Sequence, residues 1–79
     1  MTKRFLTDFE ITTLAEEALT SFELSCEWNR AREVAADFAA DEWGVLATPA
    51  QLNTAIRMAQ TGWEGIKMAT KAVIAKETA

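Results

Sequence analysis

Apolar residues recur every three or four positions along most of the chain, which is the spacing of one face of an α-helix. The first apolar series is preceded by Thr7, and Glu10 follows three residues later, which is the pattern of a capping box. Leu6 and Ile11 occupy the positions of a hydrophobic staple around this start. The series comprises Ile11, Leu14, Ala15, Ala18 and Phe22. The pattern predicts a first helix that begins after Thr7.

The apolar phase changes near residues 20–25, since a continued first series would place Ser25 and Asn29 in the core. A new series comprises Leu24, Trp28, Ala31, Ala35 and Phe38. The capping-box pattern recurs at Thr20 and Glu23, so the second helix is predicted to start near these residues. Gly44 follows the last residues of this helix and is predicted to end it in the left-handed conformation.

Thr48, Pro49 and Gln51 mark the start of the next helix, as N-cap, first helical residue and second member of a capping box. The seam that follows has a regular spacing of four and three residues and comprises Leu52, Ile56, Ala59, Trp63, Ile66, Thr70 and Val73. Because this spacing continues through residues 60–65, one long helix with a kink at Gly62–Gly65 is favoured. The alternative is a helix that ends after Gln60 or Thr61, with Trp63 opening a fourth helix.

A stripe of small residues lies beside that seam, and both glycines belong to it. Its members are Ala55, Met58, Gly62, Gly65, Ala69 and Ala72. Two glycines inside a helix lower its stability by about 1–2 kcal/mol relative to alanine. Close packing of another helix against them would offset this loss. The stripe is therefore predicted to be a packing groove through which the chain forms a homodimer.

The whole pattern predicts an all-α protein. No run of alternating β-branched residues is present, and 79 residues leave room for a single domain, residues 1–79. The expected architecture is a small three-helix bundle with a long C-terminal helix, and the alternative has four helices.

Composition argues against most enzyme classes. The chain contains no histidine, which removes the commonest general base and the commonest metal ligand, and neither a cofactor nor a metal site is predicted. Cys26 is the single cysteine and is interpreted as a spectator thiol on the acidic side of the second helix; no intrachain disulfide can form. No segment has the pattern of a signal peptide or the length of an apolar membrane span. A non-enzymatic, cytoplasmic protein is the expectation.

Charge is distributed unevenly along the chain. The net charge is −4, but residues 8–42 hold ten acidic residues against two arginines, a local net charge of −8. On a helical wheel five acidic residues of the second helix share a sector of about 120°, and we call these five the acidic ridge. They are Glu23, Glu27, Glu33, Asp37 and Asp41. A single-signed surface speeds association with an oppositely charged partner, although it is also typical of a face that only keeps a protein soluble.

The acidic ridge is followed by Glu42 and Trp43, and these two residues complete the predicted partner-binding set. Trp28 and Trp63 fall on apolar series and are expected in the core, whereas Trp43 is the aromatic most expected at the surface. It would anchor an interface if exposed, and the alternative is that it folds back onto the core. The predicted partner is a basic protein surface, such as one that holds nucleic acid. Direct DNA binding is not expected, because the second half of the chain has only four basic residues.

In size, charge and helical build, the chain resembles the small acidic helical proteins that phages encode to inhibit host machinery, including anti-CRISPR proteins. The resemblance extends over the whole chain and includes no diagnostic motif. It implies an inhibitor that occludes a nucleic-acid channel or a recruitment surface, with residues 23–44 in contact with the partner. The alternative is a small dimeric regulatory or antitoxin-like protein that acts through its C-terminal helix.

Overall fold

A computed structural model describes residues 5–78 of the protein. Within these residues it contains four helices and no β-strand: α1 (Asp8–Ser25), α2 (Trp28–Trp43), α3 (Pro49–Gln60) and α4 (Gly62–Thr78). The all-α prediction is confirmed. Residues 1–4, with the positive charges of Lys3 and Arg4, and residue 79 lie outside the described part of the predicted domain.

The starts of α1 and α3 are fixed by capping boxes, as the sequence predicts. The Thr7 hydroxyl accepts a hydrogen bond from the Glu10 amide at 3.1 Å, and Glu10 Oε1 accepts one from the Thr7 amide at 2.9 Å. Thr48 and Gln51 form the same reciprocal pair, at 3.2 Å and 2.9 Å. These bonds satisfy amides that a helix start leaves without partners.

The predicted start of the second helix at Thr20–Glu23 is wrong. The Thr20 hydroxyl donates to the carbonyl of Glu16 at 2.9 Å instead of capping a new helix, and α1 continues to Ser25. It ends at Cys26, whose φ of 60° is left-handed and whose amide donates to the carbonyl of Phe22 at 2.7 Å. Just beyond this turn, the ring of Trp28 stacks on that of Phe22 with centroids 3.9 Å apart. Stacking across the turn fixes the direction in which α2 leaves α1.

The end of α2 agrees with the prediction. Gly44 has a φ of 62°, in the left-handed region, and its amide donates to the carbonyl of Ala40 at 3.0 Å. The next amide, that of Val45, donates to the carbonyl of Ala39 at 3.2 Å, and the Val45 side chain is fully buried. The cap therefore turns the chain and inserts Val45 into the core.

The three-helix description is wrong, and the alternative of four helices is correct. α3 ends at Gln60, and Thr61 separates it from α4. Gly62 has a φ of 85°, which glycine adopts without the steric penalty that a Cβ would cause. At Gly65, by contrast, an added Cβ would overlap the side chain of Thr61. Gly62 thus permits the helix break, and Gly65 leaves room for the Thr61 side chain.

α1 and α3 each pack against all three other helices, whereas α2 and α4 do not touch within the described residues. The fully buried residues of α2 are three alanines, Ala31, Ala35 and Ala39, and its larger apolar side chains are partly buried against the core. Small residues at a helix contact permit the shorter interaxial distances, near 8 Å. The buried apolar residues of the core are Leu6, Leu14, Ala15, Ala18, Leu19, Ala31, Ala35, Ala39, Val45, Leu52, Ala55, Ala59 and Ile66.

Candidate protein-binding surface

Three acidic residues form a continuous exposed row on α2, which we call the α2 acidic face: Glu33, Asp37 and Asp41. Their spacing of four residues places them within about 80° of the helix circumference, roughly opposite the buried alanines. Because these alanines fix which side of α2 meets α1, the three carboxylates must point away from the bundle. This part of the predicted acidic ridge is present as one surface.

The other two members of the acidic ridge do not belong to α2, because α2 starts later than predicted. Glu23 is exposed on α1, where its Oε2 accepts a hydrogen bond from the Trp63 indole at 3.1 Å. Glu27 is the exposed N-cap of α2 and makes no side-chain capping bond. The predicted five-residue row is thus split among α1, the α1–α2 turn and α2.

Glu42 and Trp43 stand apart from the α2 acidic face. Glu42 is exposed in the last turn of α2, about 100° around the helix from Asp41. Trp43 is half-buried, packs against the core and meets the Phe38 ring edge-to-face at 5.5 Å. It therefore folds back onto the core, and the expectation of an exposed anchor there is wrong.

The tryptophan that is exposed is Trp63, with 45% of its surface accessible, although its place in the seam predicted burial. It follows the left-handed Gly62, and the helix break turns it out of the core. The sequence signal for this exposure is the position of Trp63 directly after Gly62, because a glycine at a helix break changes the direction of the residue that follows.

The charge of the α2 acidic face is largely unneutralised. Arg30 pairs with Glu33 at 3.3 Å, and both side chains are exposed, so this pair contributes little stability. Arg32, the only other arginine of α2, instead bridges to α3, where it donates to the Asn53 side chain and to the carbonyl of Pro49. Within residues 5–78, Asp37 and Asp41 have no cationic partner at ion-pair distance.

The position of these charges opposes the stability of α2. Asp41 and Glu42 lie in its last turn, where the helix dipole disfavours negative charge, and Arg30 lies in its first turn, where positive charge is disfavoured. Like charges four residues apart, as in Glu33 and Asp37, cost a few tenths of a kcal/mol each. The charges of the α2 acidic face therefore destabilise α2. The contacts that α2 makes with the core have to hold it in place.

The residues of the predicted small-residue stripe do not form one surface. Ala55 is fully buried on α3 and Met58 is half-buried against the core. Gly62 lies at the helix break; on α4, Gly65 and Ala69 are half-buried, and Ala72 is exposed. The stripe assumed one continuous helix, and the break at Thr61 separates its α3 and α4 members.

α4 presents apolar side chains to solvent beside a groove. Met68 and Ile74 are 70% and 47% exposed, in addition to Trp63. Between α1 and α4 lies an open groove of about 260 Å³, whose lining includes Glu16, Trp63, Lys67 and Lys71. A second open groove, of about 350 Å³, lies between α1 and α2 and is lined in part by Leu24, Arg30 and Val34. Leu24 is 86% exposed, so it does not begin the core stripe of α2 as predicted.

Cys26 is exposed at the left-handed end of α1 instead of on α2. Within residues 5–78, no three acidic or cysteine side chains converge in a way that would hold a metal ion. None of the helices in the same range is both long enough and apolar enough to cross a membrane.

No protein family, curated protein or solved structure matches the chain.

Proposed function

We propose that the protein is a non-enzymatic inhibitor that places the α2 acidic face on a basic surface of another protein and blocks that surface. The observation that carries the proposal is the row formed by Glu33, Asp37 and Asp41, which is exposed, mostly unpaired and unfavourable for the helix that holds it. Residues that break local stability rules without a structural return are expected at functional surfaces.

The spacing of the row favours a partner surface that normally holds nucleic acid. Carboxylates four residues apart on a helix follow one another at about 6 Å along its axis. Phosphates on one strand of DNA follow one another at about 3.4 Å along the duplex axis, so the row supplies roughly half their charge density. A channel lined with lysine and arginine would receive such a helix in place of a strand.

The resemblance to phage-encoded inhibitors, including anti-CRISPR proteins, supports the same class of partner, namely a complex that handles nucleic acid. In this proposal Glu27, Glu42 and the exposed part of Trp43 border the contact, whereas Glu23, which is hydrogen-bonded to Trp63 of α4, lies outside it. The single cysteine suits action in the reducing cytoplasm.

Charge reversal of the α2 acidic face tests the proposal. Glu33→Lys, Asp37→Lys and Asp41→Lys in one chain are expected to weaken capture of the partner about 100-fold, if each lost pair contributes about 1 kcal/mol. The partner is captured from lysate by the wild-type protein, eluted with a salt step, identified by mass spectrometry, and its affinity is then measured with each variant.

The matched control reverses three other glutamates, Glu17, Glu64 and Glu77, and so changes the net charge equally. It is expected to weaken binding less than tenfold, since only the long-range attraction changes. Circular dichroism checks that both variants remain helical. Unchanged binding by the α2 variant, or equal losses in both, would sink the proposal.

A second candidate is a small dimeric regulatory or antitoxin-like protein that acts through α4. The exposure of Trp63, Met68 and Ile74 on this helix favours it, because a second chain would cover these side chains. This candidate requires self-association, which light scattering measures directly. A monomer at every protein concentration would contradict it.

A further inference from the structure

The junction between α3 and α4 is unusually short. Thr61 is the only residue between the two helices, and Gly62 makes the change of direction with its φ of 85°. The Thr61 hydroxyl donates to the carbonyl of Met58 at 2.5 Å. This bond satisfies one of the carbonyls that the end of α3 leaves without a helical partner. The left-handed φ of Gly62 and the Thr61 bond together separate the two helices.

The sequence on both sides of this junction is in phase for a continuous helix. The seam keeps its alternating spacing of four and three residues from Leu52 on α3 through Trp63 to Val73 on α4. Two helices separated by a break have no need of this continuity, since each one orients its apolar face independently. If the junction were straight, the seam would lie on one side of a single helix.

The contacts of α4 with its own chain are few and transferable. α4 packs against α1 and α3, and within residues 62–77 Ile66 is the only side chain that is fully buried. Its polar contacts with α1 are Trp63 with Glu23, at 3.1 Å, and Lys76 with Asp8, at 3.7 Å. In an exchanged dimer, these contacts would form with α1 of the second copy.

We propose that the chain forms a dimer by exchange of α4. In this dimer α3 and α4 join into one helix at a straightened Gly62, and each α4 lies on α1 of the other copy. The half-exposed Trp63 beside the junction is then positioned where the two long helices cross. The inference rests on the self-association required by the second candidate function, and it is independent of the α2 acidic face.

Gly62 provides a matched pair of variants. Gly62→Ala disfavours the left-handed turn, whereas Gly62→D-alanine, which is accessible by chemical synthesis of the chain, favours it. Because each exchanged dimer contains two such junctions, Gly62→Ala is expected to lower the dimer dissociation constant on the order of 100-fold. The D-alanine variant is expected to stay monomeric at the concentrations where wild type begins to dimerise. Light scattering over a concentration series gives both constants.

Exchange itself is detected by isotope-filtered NMR. Labelled and unlabelled chains are unfolded together and refolded at high concentration, and contacts between the Trp63 indole and the Glu23 side chain are recorded. In the exchanged dimer these contacts join labelled to unlabelled chains. If Gly62→Ala does not fold, the comparison of wild type with the D-alanine variant replaces it, and equal dissociation constants for these two overturn exchange.

The outcomes separate exchange from dimerisation. A dimer whose Trp63–Glu23 contacts stay within one chain overturns the exchange but leaves the second candidate function intact. A wild type and a Gly62→Ala variant that are both monomeric at every concentration overturn both.

Discussion

Leu14→Ala is expected to lower the free energy of unfolding by about 3–5 kcal/mol, the range for a buried leucine in a site that cannot collapse. Leu14 is fully buried on α1, which contacts all three other helices, as α3 also does, so no single neighbour can move to fill the cavity. A domain of this length has a total stability of about 4–12 kcal/mol. The variant should therefore be partly unfolded at 37 °C, as thermal and urea denaturation followed by circular dichroism will show.

Leu24→Ala is the matched control for that prediction. Leu24 belongs to the same helix but is 86% exposed, so the same chemical change should alter stability by less than about 0.5 kcal/mol. Equal losses in the two variants would mean that burial of Leu14 does not determine the effect, and its assignment to the core would be wrong.

Ala35→Leu is expected to destabilise the protein by about 3 kcal/mol through overpacking. Ala35 is the middle residue of the fully buried stripe of α2, which packs against α1 and α3, so a larger side chain there has to displace its neighbours. The added carbons must push α2 outward, which separates Ala31 and Ala39 from their contacts as well. Denaturant unfolding measures the loss.

Ala72→Leu makes the same change on the exposed side of α4 and should be neutral within about 0.5 kcal/mol. Should Ala35→Leu prove as well tolerated as this control, α2 would not be held by close alanine packing. Another interaction would then have to offset the destabilising charges on α2.

Helix ends could be predicted where the signal is local. Thr7 and Thr48 cap helices through bonds to residues three positions away, so the pattern contains both partners. Gly44 ends α2 because glycine adopts a left-handed φ readily. In each case the sequence within one helical turn determines the structure.

Helix ends that depend on distant contacts could not be predicted. Thr20 and Glu23 match a capping box, yet α1 continues past them and ends at Cys26, which has no strong preference for a left-handed φ. The Phe22–Trp28 stack, which stabilises this turn, is a packing contact that periodicity does not reveal. At Gly62 the apolar spacing is the same on both sides of the break, so spacing alone cannot separate a bent chain from a straight helix.

The sequence predicts the candidate surface correctly only for residues that lie inside the true bounds of α2. Glu33, Asp37 and Asp41 lie within α2 and share one exposed face, as their spacing indicates. Glu23 and Glu27 were assigned to that face by the misplaced helix start. The sequence predicts that Trp43 is exposed and Trp63 is buried, whereas the structure shows the reverse. Burial of an aromatic residue near a helix end depends on the direction of the next segment, which the pattern does not contain.

The separation of α2 from α4 has a thermodynamic consequence. Since the two outer helices share no contact within the described residues, a change at Asp37 and a change at Lys71 do not meet directly, and any coupling between them has to pass through α1 or α3. Free-energy changes at such sites usually add to within about 0.5 kcal/mol. A ligand on one flank of the bundle should therefore change the affinity of the opposite flank only if it displaces α1 or α3.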